Sequence, residues 1–553
     1  MTVPETSVKE DDSFTAGEDH IRGARQVSPV QPKSEPKPMQ QRPQCKLWLR
    51  IFRAYPRHQP AAPFRSQSIH ESSVSNLETA LPQHPPPLRE GSLIMQNDLF
   101  RSTKERGPTI LPTMSRPLGI DLFAGAGGLS LGFEQAGFDV VAAVEIDPVH
   151  AAVHEYNFPH CRVIPRSVTE LSGSTIRAAA GIGERTVDVV FGGAPCQGFS
   201  LIGQRALDDP RNSLVKDFVR IVRELDARYF VFENVKGLTV GKHRKFLVEI
   251  IEEFKVAGYD VVENWKVLNA CSYGVPQDRQ RLFLLGAKRG LPLPSYPMPT
   301  TRKPGATETE LPTAPTCFDA LSDLPDAERF ARLNGNEAVR VTRWNDTNTY
   351  ASHMRCLDST GWEYGYRRDW NPAILTSSAR SNHSEISRER FASTPPGEVE
   401  PVSRFFKLHP EGVSNTLRAG TDSARGAFTS PRPIHYKWNR CITVREMARL
   451  HGFPDWFRFN GTKWHGARQI GNAVPPPLAR SVASEVMRAL GIKPQRPRKV
   501  VSLGDDALLR FGTTEAAAYW GIANPIGRRD KKSGIKKRKQ SEISPIASLN
   551  LTP

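Results

Sequence analysis

Short apolar runs alternate with longer amphipathic stretches from about residue 117 to residue 290. The runs have the length of buried strands, and the stretches carry apolar residues at the spacing of helices. The predicted strands are residues 119–123, 140–145, 160–164, 187–192, 229–233, 259–268 and 281–287, and the predicted helices are residues 129–136, 169–180, 212–225 and 242–255. This alternation predicts an α/β fold with a Rossmann-like, mostly parallel sheet and helices on both faces.

The pattern is lost on both sides of this α/β region, which we bound at residues 116–289. Residues 1–115 are rich in Pro, Gln and Ser, and we expect a disordered extension because little apolar surface could be buried. Residues 290–440 are irregular and contain many arginines and aromatic residues, which predicts a second, smaller domain. Helical spacing returns in residues 441–492, and residues 493–553 are predicted to be a basic, disordered tail.

Charge and cysteine usage narrow the class of protein. The 75 Lys and Arg residues exceed the 58 Asp and Glu residues, giving a formal charge of +17, so a polyanionic partner such as nucleic acid is expected. Basic disordered tails are the alternative source of this excess. The seven cysteines form no CxxC pair, which argues against a disulfide framework and a zinc cluster. The chain has neither a bilayer-length apolar run nor a signal peptide, so we expect a cytoplasmic protein.

A glycine-rich segment, Ala124-Gly125-Ala126-Gly127-Gly128, joins the first predicted strand to the first helix. Glycines there let a ligand approach the backbone closely. The second strand ends on Glu145, about 20 residues further on, where nucleotide-binding βαβ units place a carboxylate for ribose hydroxyls. The alternative is an ordinary tight turn beside a solvated glutamate.

A cysteine follows the fourth strand, in the segment GGAPCQGFS of residues 192–200. Since parallel sheets bind ligands at their carboxyl edge, Cys196 is expected to lie near Glu233, at the end of the fifth strand. Gln277, Arg279 and Arg281 alternate before the last strand and are predicted to share one face. A thiol, a carboxyl and guanidiniums beside a nucleotide-like pocket indicate covalent catalysis on an electron-poor ring. Each residue also has a non-functional alternative when it is taken singly. Cys196 could be a buried core residue, Glu233 a surface acid, and Arg279 and Arg281 part of a solvated edge.

Taken together, the motifs resemble the bacterial type of the C5-cytosine-specific DNA methyltransferase family. The resemblance covers residues 117 to about 490. The motifs are DLFAGAGG at residues 121–128, Glu145, GGAPCQGFS at 192–200, FENV at 232–235, QDRQR at 277–281, TVRE at 443–446 and QIGNAVP at 469–475. The resemblance implies a methyltransferase fold. Residues 116–289 and 441–492 would form the catalytic domain, and residues 290–440 would form the target-recognition domain.

The resemblance implies S-adenosylmethionine as the cofactor. Phe123 would pack on it, the backbone of residues 125–129 would hold its methionine end, Glu145 would bind its ribose and Ile146 would lie against its adenine. The implied cofactor-binding residues are Phe123, Gly125, Gly127, Gly128, Leu129, Glu145, Ile146, Ser167, Pro195 and Asn472.

The resemblance also implies chemistry on a cytosine rotated out of double-stranded DNA. Cys196 would attack C6, Glu233 would hold N3 and the exocyclic amine, and C5 would take the methyl group before losing its proton and releasing the thiolate. Arg279 and Arg281 would support the cytosine carbonyl and a catalytic loop at residues 197–211. The implied DNA-binding residues are Gln197, Ser200, Arg205 and Arg418.

Two positions depart from the family pattern. Ala194 replaces the first of two prolines, and Ser167 stands where an acid commonly holds the adenine amine, which a serine would bind less strongly. A transfer-RNA cytosine methyltransferase shares the catalytic core, but Ser200 and the long region before Thr443 favour DNA. A DNA-binding regulator with an inactive methyltransferase fold would have lost the thiol, the acid or the glycines, and none of these is lost here. A dinucleotide-dependent oxidoreductase would explain the glycine turn but not Cys196, Glu233 and Arg279.

The expected partner is double-stranded DNA, which would associate the enzyme with the nucleoid. We expect a monomer that contacts no membrane. Action alone and pairing with a restriction endonuclease that cuts the same site both remain open.

Overall fold

The computed structural model describes residues 116–195, 212–241, 243–307, 310–421 and 429–524. Its centre is an eight-stranded sheet. The strands are β1 Leu118–Leu122, β2 Asp139–Val144, β3 Arg162–Ile164, β4 Val189–Gly192, β5 Tyr229–Val235, β6 Tyr259–Val261, β7 Lys266–Asn269 and β8 Gln280–Lys288. Their order is β3-β2-β1-β4-β5-β8-β6, and β7 pairs with β8. Strands β1 to β5 are parallel and β8 is antiparallel to β5, so the predicted mostly parallel α/β sheet is confirmed.

Helices cover both faces of the sheet. They are α1 Gly128–Ala136, α2 Pro148–Asn157, α3 Gly173–Ala180, α4 Ser213–Glu224 and α5 His243–Val256. Alternate residues of β4 enter different cores: Val189 and Phe191 join one apolar cluster, and Val190 joins the other. Burial on both faces explains why the strands of this sheet are almost continuously apolar.

Two local features differ from the sequence prediction. The strand predicted over residues 259–268 is divided into β6 and β7. Between them Asn264 takes a left-handed conformation with φ of 57°, which ends the first strand in a turn. Helix α2 was not predicted, because His150, His154 and Asn157 interrupt its apolar pattern although all three are buried.

Residues 290–440 contain short elements: α6 Cys317–Leu321, β9 Val339–Arg340, α7 Thr349–Met354, β10 Arg367–Asp369, β11 Ile374–Leu375 and α8 Glu385–Ser393. The helices that follow are α9 Val444–Leu450, α10 Lys463–Asn472 and α11 Pro476–Ala489, and α6 packs on α9. The apolar core is continuous across this boundary, since Leu321 and Leu333 share one cluster with Met447 and Leu478.

Buried ion pairs add directed bonds to this apolar packing. Arg449 of α9 pairs with Asp323 at 3.0 Å and with Asp455 at 2.6 Å. Arg368 of β10 pairs with Glu134 of α1 at 2.8 Å. The irregular segment is therefore fixed to both the sheet domain and the C-terminal helices.

The chain after residue 492 corrects a prediction. Residues 493–553 were expected to be disordered, but β12 Val500–Ser502 pairs in parallel with β10, and α12 Thr513–Trp520 lies against α2. The basic composition concealed a short apolar stretch whose Leu508 and Leu509 are buried against Tyr156. Only residues up to 524 are described here. In the described ranges, no helix combines the length and the apolar character needed to cross a membrane.

Candidate active site

The turn after β1 exposes its backbone to a cleft at the carboxyl edge of the sheet. Phe123, Gly125 and Gly127 have φ angles of 61°, 56° and 104°, in the left-handed region that glycine tolerates. A Cβ added to Gly125 would meet nothing within 4 Å, so this residue faces open space. At Gly127 it would collide with the Phe158 ring. Gly125 therefore borders the cleft, whereas Gly127 shapes the turn from behind.

Glu145 directly follows β2 and is tied to the glycine turn. Its carboxylate accepts hydrogen bonds from the backbone N–H groups of Gly125 at 2.7 Å and Asp147 at 2.8 Å. Burial raises the pKa of Glu145, although the nearby His150 opposes the shift. The next residue, Ile146, is 64% exposed and presents an apolar surface to the cleft. A fixed acceptor beside an exposed apolar side chain can bind a ribose and an adenine ring.

The far wall of the cleft comes from the junction of α10 and α11. A Cβ on Gly128 would lie 2.5 Å from the Val474 carbonyl oxygen and 2.9 Å from the Ala473 Cβ, so the two segments touch. The exposed Asn472 borders the cleft beside them. The structure thus brings Asn472 to the cleft beside the glycine turn.

The cleft has a volume of about 640 Å³. The predicted site residues that line it are Phe123, Gly125, Gly128, Leu129, Glu145, Ile146, Ser167, Pro195, Glu233, Arg281 and Asn472. Ser167 also caps a short 3₁₀ helix, accepting the Thr169 N–H at 3.3 Å. Its single hydroxyl is therefore shared between the cleft and the backbone.

Glu233 and Arg281 form an ion pair at the base of the cleft. The Arg281 Nε lies 2.9 Å from the Glu233 Oε1, and both side chains are largely buried. Burial raises the pKa of Glu233, while the charges of Arg281 and Arg279 oppose that rise. A Cβ on Gly193 would come within 2.5 Å of the Glu233 Oε2, so only glycine leaves room for this carboxyl. The arrangement provides a fixed carboxyl whose proton is retained more readily than in water.

Arg279 differs from the expectation that it shares a face with Arg281. It is fully buried and does not line the cleft. Its guanidinium donates to the carbonyl oxygens of Leu417 at 2.9 Å, Gly471 at 2.8 Å and Ala473 at 2.9 Å. The alternation argument fails because β8 begins at Gln280, so Arg279 lies outside the strand whose geometry was assumed.

Four predicted residues, Cys196, Gln197, Ser200 and Arg205, lie outside the described residues. Pro195, the last described residue before them, is exposed and borders the cleft beside Glu233. Arg418 is described and exposed, one residue after the buried Leu417.

The sequence analysis missed Asp121, which lies beneath the glycine turn. Asp121 is fully buried and accepts a hydrogen bond from the Ser130 hydroxyl at 2.7 Å. Burial raises its pKa to about 8. An acidic residue inside an apolar strand was the available signal. Further cleft residues that were not assigned are Asp147, His150, Leu214, Arg468 and Gln469.

A mostly parallel sheet with a left-handed glycine turn, a buried carboxylate and a Glu–Arg pair lining one cleft at its carboxyl edge defines an α/β protein with a ligand-binding site at that edge. The model of the C-5 cytosine-specific DNA methylase family matches residues 119–488. The chain belongs to this family, and it is a DNA cytosine-5 methyltransferase.

Similar proteins agree with this assignment. The Type II methyltransferase M.XorII of Xanthomonas oryzae pv. oryzae is 57% identical over 419 residues, which are 76% of this chain and 96% of the relative. The Type II methyltransferase M1.HphI of Haemophilus parahaemolyticus is 34% identical over 67% of this chain and 86% of its own. The crystal structure of a prophage-encoded DNA modification methyltransferase from E. coli has a TM-score of 0.55 at 32% identity, covering 68% of this chain and 100% of that one.

Proposed function

We propose that this enzyme uses S-adenosylmethionine to methylate C5 of a cytosine in one short sequence of double-stranded DNA, through a covalent bond between Cys196 and C6. The observation that carries the proposal is the Glu233–Arg281 pair, which lies in the same cleft as the glycine turn and Glu145. A carboxyl that can hold the base and a pocket that fits the methyl donor are thereby adjacent.

The cleft fits the cofactor in shape and in donor set. Gly125 leaves open space over the turn, Glu145 offers carboxylate oxygens to ribose hydroxyls, and Ile146 offers an apolar face to adenine. Phe123, Leu129, Ser167 and Asn472 would complete the walls. When bound, S-adenosylmethionine supplies an electrophilic methyl group.

Cys196 would act as the nucleophile. Its thiolate would add to C6 of the cytosine, which gives C5 the electron density to take the methyl group. Removal of the C5 proton would then restore the ring double bond and expel the thiolate. Pro195 borders the cleft immediately before this cysteine, which supports the assignment.

Glu233 would hold the cytosine at N3 and at its exocyclic amine. Its raised pKa favours a carboxyl that can share a proton with N3, and a proton on N3 makes C6 more electrophilic. Arg281, 2.9 Å away, would fix the carboxyl and reach the base carbonyl. Arg279 would act indirectly, since its side chain is engaged by three backbone carbonyls.

DNA would be bound by residues on two sides of the cleft. Gln197, Ser200 and Arg205 would contact it from the catalytic loop. The exposed Arg418 would contact it from residues 290–440, which would form the target-recognition domain. The names of the relatives support the assignment as a Type II methyltransferase. In that role the enzyme would protect the site that a cognate endonuclease cuts, and it would act as a monomer.

Base-resolution mapping of 5-methylcytosine tests the proposal. The wild-type chain, Cys196→Ala and Glu233→Gln would be expressed in a host that lacks cytosine methylation. We expect one methylated sequence throughout the genome with the wild type, no methylation with Cys196→Ala, and a rate at least about 100-fold lower with Glu233→Gln, as for loss of a general acid–base group. Cys317→Ala, at a buried cysteine of α6 that does not border the cleft, is the matched control.

Binding measurements separate catalysis from folding. Cys196→Ala should bind S-adenosylhomocysteine with nearly wild-type affinity, because the cysteine would act on the base. Equal loss of binding and methylation would show that the residue is structural. Unmethylated DNA together with methylated transfer RNA in the wild-type extract would replace the DNA proposal by the transfer-RNA alternative.

A further inference from the structure

A cluster of three buried side chains joins the end of the 290–440 segment to the cofactor cleft. We call Gln277, Arg279 and His451 the latch. Gln277 and Arg279 precede β8, and His451 follows α9. All three are buried, and none lines the cleft. Gln277 bonds to His451 and to the Leu450 carbonyl, which ties the cluster to α9. The remaining bonds described here go to the backbone of two other segments, so the latch acts on those segments rather than on a ligand.

The first segment is held at Leu417. The Leu417 N–H donates to the Gln277 Oε1 at 3.1 Å, and the Leu417 carbonyl accepts from Arg279 at 2.9 Å. Both backbone groups of one residue are thus fixed by side chains that lie two positions apart. The exposed Arg418, the proposed DNA contact, follows directly. Its backbone position is therefore set by the latch.

The second segment is held on both sides of Asn472. Arg279 donates to the carbonyls of Gly471 at 2.8 Å and Ala473 at 2.9 Å. The Ala473 carbonyl lies 3.0 Å from the Nε2 of His451, whose Nδ1 lies 2.9 Å from the Gln277 Nε2. The position of Asn472, the proposed cofactor contact, is therefore set by Arg279 and His451, and Gln277 acts on it only through His451.

The two segments also touch each other. A Cβ on Gly471 would collide with the Ala419 nitrogen and the Arg418 carbonyl carbon, so only glycine permits this approach. A displacement of residues 417–419 must therefore either move residues 471–473 or stretch bonds to Arg279. Contacts of this kind make one site sensitive to the occupancy of another.

We infer that the latch couples DNA binding at Arg418 to cofactor binding at Asn472, so that Gln277, Arg279 and His451 are positioning residues for both ligands. The inference rests on the proposed function, which assigns the ligands. Coupling is reciprocal: DNA must tighten the cofactor site by the same factor by which the cofactor tightens DNA binding.

Two variants separate coupling from folding. Arg279→Lys retains the charge, but one ammonium cannot reach three carbonyls that the planar guanidinium bridges. Gln277→Met retains the length and removes the bond to Leu417, together with those to His451 and the Leu450 carbonyl, while the bonds of Arg279 to residues 471 and 473 stay in place. Arg432→Lys is the matched control: this buried arginine donates to the Ile442 carbonyl at 2.9 Å and the Ser381 hydroxyl at 2.7 Å, outside the latch.

The test is the dissociation constant of S-adenosylhomocysteine, measured by calorimetry with and without a duplex that contains the methylated sequence. We expect DNA to tighten this binding by about fivefold or more in the wild type and in Arg432→Lys, as is typical of coupled sites. In Arg279→Lys and Gln277→Met the ratio should fall to within about twofold of unity. In Gln277→Met the affinity without DNA should stay within about threefold of the wild type.

Each outcome decides one question. A wild-type ratio retained by both latch variants overturns the inference, and so does a wild-type ratio of unity, while the proposed function stands in both cases. A wild-type enzyme that binds neither ligand refutes the proposed function and the inference with it. If the ratio of the two dissociation constants falls equally in Arg432→Lys, the effect is a general consequence of replacing a buried arginine, and the inference is overturned as well.

Discussion

The contact between the glycine turn and the α10–α11 junction can be tested with a single methyl group. Gly128→Ala would place a Cβ 2.5 Å from the Val474 carbonyl oxygen and 2.9 Å from the Ala473 Cβ. Gly128 begins α1 and has no positive φ, so the backbone itself accepts alanine. The clash must be relieved by separating two walls of the cofactor cleft, because backbone atoms cannot rotate away.

The expected magnitude follows from packing. An extra methyl in a close-packed contact costs about 1–3 kcal/mol, against a gain of at most about 1 kcal/mol from replacing a helical glycine by alanine. About 1.4 kcal/mol of binding free energy corresponds to a tenfold change in Kd. We therefore expect Gly128→Ala to weaken S-adenosylhomocysteine binding by about 5- to 30-fold and to lower the free energy of unfolding by less than about 2 kcal/mol.

Gly132→Ala is the matched control on the same helix face, one turn further from the cleft. Its Cβ would lie 2.7 Å from the Arg480 nitrogen and 2.8 Å from the Pro476 carbonyl oxygen, so its clash with α11 is at least as severe. Urea denaturation and calorimetry on both variants should give opposite rankings. Gly132→Ala should lose more stability, and Gly128→Ala should lose more affinity.

The same order of the two variants in stability and in affinity would refute this account of the cleft wall. If Gly132→Ala weakened cofactor binding as much as Gly128→Ala, helix displacement as a whole would explain the loss. If Gly128→Ala bound the cofactor product normally, the contact with residues 473–474 would not define the cleft wall.

Three further predictions concern stability. Because burial raises the pKa of Asp121 from 3.8 to about 8, the folded state holds an extra proton between these values and stability falls as pH rises through this window. Asp121→Asn should therefore flatten the pH dependence of the urea midpoint between about pH 5 and pH 8, and an unchanged slope would contradict this. Asp323→Ala should lower the free energy of unfolding by about 3 kcal/mol, because it removes one of two carboxylates from the buried Arg449. Asp226→Asn removes the charge from the exposed pair with Lys288, keeps a side chain that tolerates the left-handed φ of 51° at this position, and should change the free energy of unfolding by less than about 1 kcal/mol. Truncation after residue 499 should lower the free energy of unfolding by about 3 kcal/mol or more through loss of the buried Leu508 and Leu509, and equal melting temperatures for truncations after residues 499 and 524 would disprove it.

The parts of the fold that could be predicted are those in which local pattern and burial agree. Strands β1, β2 and β4 are buried along their whole length, so each is a largely apolar run that can be recognised without knowledge of its neighbours. Helix α2 escaped prediction because polar side chains are buried within it: the Asn157 amide donates to the Val153 carbonyl and to the distant Arg458 carbonyl, each at 2.9 Å. A pattern of apolar positions does not distinguish such a satisfied polar residue from an exposed one.

The contacts of the site likewise include some that follow from local sequence spacing and others that do not. Gly125 and Glu145 are 20 residues apart and belong to one βαβ unit, so their hydrogen bond could be anticipated from spacing. The partners of Arg279 lie 138 and 192 positions away, and no local rule predicts them. The charge of Arg279 suggested a contact with substrate, whereas the fold uses its planar guanidinium to gather three distant carbonyls.

The C-terminal helix α12 contacts α2, the helix that follows Glu145. This contact argues against a catalytic domain that ends at residue 492. The Trp520 Nε1 donates to the Pro148 carbonyl at 3.1 Å, in the first turn of α2. The adjacent Asp147 caps that helix and donates its N–H to Glu145, the proposed ribose ligand. Only Pro148 and Asp147 therefore separate α12 from Glu145. Because α12 packs along α2, its removal would free the end of the helix next to this carboxylate. The folded body around the cleft consequently extends to residue 520, which is 28 residues beyond the boundary expected from the sequence.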